Sequence, residues 1–269
     1  MADALSTDPV FTSRAKLWVK KNVPVKDPIV IVGFPGIGRI GELTANYFLE
    51  CNKNEYVGII TSPYFSTQTI VDAHGVAHIL GMRIYRLKVE WTSNDLLIVK
   101  GDQHQEIMGG EYESSELLLN FLQKKGVKLI ITIGGMYASG ATKKDTFVFA
   151  SNPELTSAFK NVGLSVTRPG APVVGAAGII VGLASMRGIP SACLLGETSG
   201  DRPDVEAAKA VVLALGKFLN FVPNLEFLDR EAENVEKIMK IYEESYAKII
   251  ENPSVSKIMS ETKGPEYVS

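Results

Sequence analysis

The sequence predicts an α/β protein with three layers, in which helices cover both faces of a mixed, mostly parallel β-sheet. Runs of apolar and β-branched residues recur at residues 29–32, 129–133 and 191–195, as in strands that are buried on both faces. Turns that contain glycine follow these runs, and stretches with the apolar spacing of helices separate them. This alternation is typical of parallel strands that are joined by helices.

The first regular elements lie close to residue 29. Residues 29–32 predict a buried strand, a helix follows over about residues 39–50, and a second strand covers residues 56–60. Residues 1–27 are mixed and polar, so we expect an N-terminal extension before an α/β core that spans residues 28–222.

Residues 68–101 follow a different pattern. Polar Arg86 and Lys88 alternate with apolar Leu87 and Val89, which is the period-two pattern of a strand with one face in water. We therefore expect antiparallel strands or hairpins in this region, before a buried strand that ends at Val99.

The second half of the core returns to alternating helices and strands. We expect a helix near residues 114–125, loops and short strands over residues 140–172, and a helix over residues 175–186. The last of these contains almost no charge, so its own domain or another subunit should cover it. A further helix is expected from Pro203, which favours the first helical position, to about Asn220.

The last predicted helix, over residues 223–252, is amphipathic and forms a C-terminal helical extension. Its apolar residues follow alternating spacings of four and three for three heptads, and Glu–Lys pairs four residues apart have the stabilising orientation. This stripe either packs on its own domain or meets a partner. The candidate interface residues are Leu228, Val235, Met239, Tyr242, Tyr246, Ile249 and Tyr267. Residues 253–269 are predicted to form a flexible polar tail.

The composition is that of an ordinary globular protein, since 45% of the residues are apolar and 22% are charged. A formal net charge of −2 provides no basic field for nucleic acid or an anionic membrane surface. No apolar run reaches the roughly 18 residues of a membrane span, and residues 1–8 lack the pattern of a signal peptide. With two cysteines that we expect to be reduced, the sequence indicates a cytoplasmic protein.

The segment Gly36-Ile37-Gly38-Arg39-Ile40-Gly41 has the G-x-G-x-x-G spacing of dinucleotide-binding loops and lies between a strand and a helix. Pro35 makes the turn unlike such loops, and the next strand lacks the terminal carboxylate that would bind ribose. We therefore expect no cofactor. The glycines either let the helix pack closely on the strand, or their N–H groups contact another anion or a partner.

Few residues follow a catalytic or metal-binding pattern. His74 and His78 are four residues apart in a strand pattern and would lie roughly 13 Å apart, so we expect no metal site. His104 follows a strand in a polar turn, where a catalytic role and a loop that hydrogen-bonds itself are the two interpretations. The sequence contains neither a G-x-S-x-G nucleophile elbow nor an H-E-x-x-H metal motif.

Polar turns that contain glycine follow strands at Gly33, Gly134 and Gly196. The carboxyl ends of parallel strands meet in one crevice in open α/β sheets, and ligands bind there. The candidate crevice residues are Gly36, Gly38, Arg39, Asp102, Gln103, Gly134, Gly135 and Glu197.

Several of these segments, in their order and spacing, resemble the proteasome assembly chaperone 2 family, and the overall pattern is that of an archaeal member. They are Val32-Gly33-Phe34-Pro35-Gly36-Ile37-Gly38, Gly101-Asp102-Gln103, Ile131-Thr132-Ile133-Gly134-Gly135-Met136, Gly178-Ile179-Ile180-Val181-Gly182-Leu183 and Cys193-Leu194-Leu195-Gly196-Glu197. The resemblance covers roughly residues 28–220.

The resemblance implies a fold similar to that of purine nucleoside phosphorylases, without an established enzymatic activity. It also implies an ATP-independent chaperone that handles proteasome α-subunits, usually as a homo-oligomer. Some members end in a hydrophobic residue, a tyrosine and one further residue, a tail that docks between α-subunits. This sequence departs from that pattern, because it ends Glu266-Tyr267-Val268-Ser269.

Two functions follow from these observations. The first is a non-enzymatic chaperone or adaptor that binds protein partners as a homo-oligomer; the amphipathic last helix, the uncharged helix and the missing catalytic motifs favour it. The alternative is a small-molecule-binding protein or enzyme that uses the strand-end glycine loops for a nucleoside, phosphate or carboxylate ligand.

Overall fold

A computed structural model describes residues 14–21, 23–105, 109–139 and 144–250 of the chain. The chain divides into two units, Met1–Leu228 and Asp229–Ser269. The first unit contains the sheet and the helices that pack on it, and the second contains most of the last helix.

The described residues form one sheet of nine strands and a separate hairpin of two strands. The strands are β1 (Lys16–Val19), β2 (Ile29–Gly33), β3 (Asn54–Thr61), β4 (Thr69–Val71), β5 (Ala77–Ile79), β6 (Met82–Leu87), β7 (Leu96–Gly101), β8 (Leu129–Tyr137), β9 (Thr146–Ala150), β10 (Ser165–Val166) and β11 (Ser191–Thr198). Their order across the sheet is β1-β3-β6-β7-β2-β8-β11-β9-β10, and β4 pairs with β5 in the hairpin.

The four central strands, β7, β2, β8 and β11, run parallel to one another, and antiparallel strands flank them on both sides. Gly33, at the end of β2, lies opposite Lys100 of β7 and Ile133 of β8. The apolar run Val30 to Val32 is fully buried, because β2 lies in the middle of the sheet with both faces covered. The expected mixed α/β sheet and the antiparallel strands between residues 68 and 101 are confirmed.

Helices cover both faces of this sheet. They are α1 (Ile40–Cys51), α2 (Gly110–Lys124), α3 (Pro153–Asn161), α4 (Ala176–Met186), α5 (Val205–Leu219) and α6 (Glu226–Ile250). Helices α1 and α5 pack together over β2, β8 and β11, and α3 joins α5 through the stacked rings of Phe159 and Phe218, 3.7 Å apart. Helices α2 and α4 pack together on the other face. Leu118 of α2 and Ile180 of α4 share one buried cluster with Val30 of β2.

The structure differs from the sequence-based expectations in three elements. Strand β1 pairs with β3, so the sheet already begins within residues 1–27, the predicted extension. Helix α3 lies in the region where only loops and short strands were expected. The last helix begins at Glu226 and is described as far as Ile250. The predicted tail over residues 253–269 lies outside the described residues, and the similarity to purine nucleoside phosphorylases stays a prediction.

The two cysteines differ in their surroundings, although both are free thiols as expected. Cys51 is exposed, whereas Cys193 is buried in β11, and burial raises the pKa of its thiol to about 12. No helix in the described part of the chain is both long enough and apolar enough to cross a membrane.

The glycines around the first turn bring α1 very close to β2. A Cβ atom on Gly33 would lie 2.0 Å from the carbonyl oxygen of Gly41 in α1. A Cβ atom on Gly41 would lie 2.7 Å from the carbonyl oxygen of Ile133 and 2.8 Å from that of Phe34. All three distances are shorter than a van der Waals contact, so these glycines allow the close helix–strand packing that was the first of the two interpretations.

Replacement of Gly33 by alanine is expected to destabilise the fold strongly. The new methyl group would meet backbone atoms of α1, which cannot move without displacing the helix, so we expect a loss of about 3 kcal/mol or more in the free energy of unfolding. Gly182→Ala is the matched control in α4, because no atom lies within 4 Å of its added Cβ. That control should stabilise the protein by about 0.5–1 kcal/mol. Urea denaturation measures both values, and equal stability of Gly33→Ala and the wild type would contradict the packing argument.

Candidate functional site

A cavity of about 800 Å³ opens at the carboxyl ends of the central parallel strands. The turn after β2, the last residues of β8 and the first turns of α2 and α4 surround it. In an α/β sheet the loops that leave parallel strands converge at this edge, which is why ligands bind there. The cavity lies within the first unit.

Most of the cavity wall is apolar. Phe34 leaves β2, Ile133 and Leu195 belong to β8 and β11, and Val173 and Ile179 lie at the start of α4. Such a wall excludes water from an apolar ligand and contributes free energy in proportion to the area that the ligand buries.

His104 and Glu111 form a hydrogen-bonded pair in the wall, which also contains polar groups of Gln105, Tyr112, Tyr137 and Thr167. The Nδ1 atom of His104 lies 2.9 Å from Oε1 of Glu111, and the imidazole ring stacks on Phe34 with the ring centroids 6.1 Å apart. Because a carboxylate accepts hydrogen bonds, this contact assigns the proton to Nδ1 and leaves Nε2 as the nitrogen available for another contact. This hydrogen bond fits the interpretation of a loop that is held by its own hydrogen bonds, and the alternative of a catalytic role stays a prediction.

Three of the predicted crevice residues line the cavity: Gly36, Gly134 and Gly135. Gly135 lies beneath the turn after β2, because a Cβ atom on it would lie 2.1 Å from the carbonyl oxygen of Ile37. Because Gly134 and Gly135 have no side chains, they leave space above β8 for the cavity and allow the turn to cross the strand.

The other predicted crevice residues do not line the cavity, so their inclusion was wrong. Gly38 is buried, and a Cβ atom there would lie 2.8 Å from the hydroxyl oxygen of Thr198. Arg39 has a left-handed backbone, with φ at 50°, and its guanidinium donates hydrogen bonds of 2.7 and 2.8 Å to Glu42. These hydrogen bonds raise the pKa of Arg39.

Asp102, Gln103 and Glu197 are also placed away from the cavity. The carboxylate of Asp102 accepts hydrogen bonds from the backbone of Gly81, at 2.9 Å, and from Arg83. Gln103 donates a 2.7 Å hydrogen bond to Ser66. Glu197 belongs to β11, with its backbone nitrogen 3.0 Å from the carbonyl oxygen of Asp145. The side chains of Asp102 and Gln103 thus stabilise neighbouring strands and loops.

Comparison with known proteins identifies the family of the chain. The model of the PAC2 family matches residues 30–242, which is most of the chain. This protein belongs to the PAC2 family. The match includes the glycine turn, the strands around the cavity and about two thirds of α6.

Several proteins that are similar to this PAC2 chain come from archaea. The uncharacterized protein MJ1210 of Methanocaldococcus jannaschii is 29% identical over 232 residues, which is 84% of this chain and 88% of that protein. The crystal structure of Pyrococcus furiosus PbaB, an archaeal proteasome activator, matches with a TM-score of 0.78 and 29% identity, over 86% of this chain and 99% of that chain. Pyrococcus furiosus PbaA, an archaeal homolog of proteasome-assembly chaperone, matches with a TM-score of 0.71 and 26% identity, over 85% and 96% of the two chains.

The candidate interface of the PAC2 chain is divided between the two units. Leu228 belongs to the first unit and is fully buried, so it cannot contribute to a surface stripe, and its inclusion was wrong. In the second unit, Val235 and Met239 are partly exposed and Tyr242 is 67% exposed. The side chains of Tyr246 and Ile249, and all of Tyr267, lie outside the described residues.

The sequence interpretation overlooked two residues of the same helix, Ile238 and Ile241. Each is 64% exposed, although both are large apolar side chains. Ile238 lies three residues after Val235 and four before Tyr242, so it belongs to the same helical stripe. Its spacing of three and four residues from Val235 and Tyr242 could have identified Ile238 from the sequence. The residue was left out because only positions of a strict heptad pattern were selected.

Asp204 joins the glycine turn to α5. Its backbone nitrogen donates a 2.8 Å hydrogen bond to the carbonyl oxygen of Gly38, and its carboxylate accepts one of 3.0 Å from Ala207, which caps the helix. Burial alone would raise the pKa of Asp204, but hydrogen bonds from Lys144, at 2.7 Å, and Thr198 outweigh it and lower the pKa.

Asp204→Asn is expected to reduce stability at neutral pH but to have little effect in acid. Asparagine retains the helix cap and loses the charge-assisted bond with Lys144, so we expect a loss of about 1.5 kcal/mol at pH 7. Because the folded pKa lies below the unfolded value, this contribution is present above about pH 4 and disappears as the pH falls through the folded pKa. Urea denaturation at pH 7 and in acid measures the difference.

The control for this prediction is Glu206→Gln, which removes a carboxylate from the same first turn of α5. Glu206 pairs with Lys209 at the surface, and such pairs contribute about 0.5 kcal/mol or less. A constant difference between the wild type and Asp204→Asn at both pH values would show that the charge of Asp204 does not stabilise the fold.

Proposed function

We propose that this PAC2 family protein is a non-enzymatic, ATP-independent chaperone or adaptor that binds protein partners as a homo-oligomer in the cytoplasm. Proteasome α-subunits are the first candidate partners to test, because of the proteins to which this chain is similar. PbaB is an archaeal proteasome activator and PbaA is a homolog of proteasome-assembly chaperone, and both match nearly their whole length to this chain.

The observation that carries this proposal is the apolar stripe of α6, defined here as Val235, Ile238, Met239 and Tyr242. Two of its members, Ile238 and Tyr242, expose about two thirds of their surface, at 64% and 67%. Large apolar side chains on a helix surface lose contact with water only when a partner covers them, and burial of each stabilises a complex by about 1.5–3 kcal/mol. The stripe therefore fits a helix that binds another protein.

The opposite side of the same helix is charged. Lys240 and Glu244 lie there, four residues apart, and Glu233 lies 4.0 Å from Lys237 in an exposed ion pair. A helix that is charged on one side and apolar on the other presents a directional surface, since only the apolar side gains free energy from association. This asymmetry supports one defined binding face and provides residues for a matched control.

The double variant Ile238→Ser and Tyr242→Ser is expected to lose partner binding. The full-length protein is immobilised and incubated with purified 20S proteasome α-subunits, with and without ATP, and the bound subunits are quantified. We expect the wild type to retain α-subunits equally in both conditions. The variant should retain at least tenfold less, because it removes two apolar contacts of the stripe.

The matched control is the double variant Lys240→Ser and Glu244→Ser, which has the same spacing and the same new residues on the charged side. It should bind as the wild type does, and circular dichroism should show equal helix content in both variants. Equal retention of α-subunits by the two variants would contradict a role for the stripe. No retention by the wild type would contradict α-subunits as partners, and a monomeric native mass would contradict the homo-oligomer.

A further inference from the structure

The cavity at the strand ends has the dimensions of a small-molecule site. Its volume of about 800 Å³ lies within the range of ligand pockets, and Phe34, Ile133, Val173 and Leu195 give it an apolar wall. The space is concave and lies over the floor that Gly134 and Gly135 form, unlike the convex stripe of α6. The proposal made here therefore does not rest on the proposed chaperone function.

The fold does not require glycine at position 36, where the absence of a side chain leaves the cavity open. Its φ of −166° is an extended conformation that any residue adopts. A Cβ atom there would have one neighbour, Nε2 of His104, at an ordinary contact distance of 3.5 Å. Neither strain nor crowding demands glycine at this position, in contrast to Gly33 and Gly135. The missing side chain leaves free space directly beside a histidine nitrogen.

His104 is the polar group that faces this space. Glu111 binds its Nδ1 atom at 2.9 Å and thereby orients the ring, while Phe34 supports one side of it. Within the described residues, no hydrogen bond engages Nε2. A histidine that is oriented by a carboxylate and has its other nitrogen free is arranged to bind a ligand through that nitrogen.

The charges around the cavity limit the ligand. Among the described residues of the wall there is no lysine or arginine, and the carboxylate of Glu111 is already paired with His104. A polyphosphate or a nucleotide would bring several negative charges into a site with no cation to balance them. A single carboxylate needs fewer donors. In the doubly protonated ring of His104, Nδ1 donates to Glu111 and Nε2 can donate to the ligand, beside the backbone N–H groups at the start of α4, near Ala177.

We infer that the cavity binds a small monocarboxylate with an apolar aromatic or branched aliphatic body. The carboxylate lies between His104 and Gly36, and the apolar body fills the space against Ile133, Val173 and Leu195. This assigns a ligand class to the strand-end crevice and selects the carboxylate among the nucleoside, phosphate and carboxylate ligands that the sequence left open.

Isothermal titration calorimetry of the full-length protein at pH 6 tests this assignment with four probes. Phenylacetate and 4-methylpentanoate carry the proposed features, phenylacetamide lacks the charge, and inorganic phosphate lacks the apolar body. We expect both carboxylates to bind, with at least tenfold weaker binding of the amide and of phosphate.

Two variants locate the site. Gly36→Ala fills the space beside Nε2, and His104→Gln removes the nitrogen, so each should weaken phenylacetate binding at least tenfold. The controls are Gly182→Ala, whose added methyl group meets no atom within 4 Å, and His74→Gln in the exposed hairpin, and both should bind as the wild type does.

Several results would overturn the assignment. One is that neither carboxylate binds at millimolar concentration. Another is that phenylacetamide or phosphate binds as tightly as the carboxylates. The third is that both Gly36→Ala and His104→Gln bind phenylacetate with wild-type affinity. Circular dichroism checks that each variant is folded, and if one is not, the other decides. Retention of α-subunits by Gly36→Ala separates this test from that of the chaperone function, because the variant leaves α6 unchanged.

Discussion

Strand β2 and helix α1 approach each other so closely at Gly33 and Gly41 that neither position has room for a Cβ atom. Because the helix begins almost directly over the strand that it follows, the connecting turn must fold back over the neighbouring strand β8. There the carbonyl oxygen of Ile37 occupies the space that a Cβ atom of Gly135 would need. A larger residue at any of these three positions would move the turn away from the sheet. The border that the turn gives to the cavity would move with it.

The same contact explains why the G-x-G-x-x-G segment differs from a dinucleotide-binding loop. Gly38, in its middle, is buried against Thr198, and its carbonyl oxygen accepts a hydrogen bond from the backbone of Asp204. The turn is therefore fixed to β11 and to the start of α5, and its centre offers no open surface. Only its first glycine, Gly36, faces the free space beside His104. The motif serves chain packing along most of its length and borders the cavity at one end.

The features that sequence could predict are those set by local pattern. The buried strands follow from their β-branched runs, and the packing role of the turn glycines follows from their position between strand and helix. Side-chain partners depend on contacts between distant segments, so Asp102 was placed in the crevice although Arg83 and the backbone of Gly81 hold it elsewhere. The partnership of His104 with Glu111 was missed because α2 begins at Gly110, four residues before the predicted start.

Helix α3 shows how a short element escapes a search for periodicity. It carries clear start signals, since the side chain of Asn152 accepts a hydrogen bond from Leu155 and Pro153 occupies the first turn. Among its residues, however, only Phe159 is buried, against Phe218 of α5. One buried side chain creates no repeating apolar pattern that a search for periodicity could detect.

Several motif glycines are required by the fold, whereas the residues of the surfaces proposed for function are not. The motif glycines at positions 33, 41 and 135 meet backbone atoms, so they preserve the scaffold whatever the protein binds. Ile238 and Tyr242, by contrast, are about two thirds exposed to water. Membership of the PAC2 family therefore accounts for the fold, whereas the proposed partner and ligand depend on residues that the fold itself does not require: the stripe of α6, and Gly36 with His104.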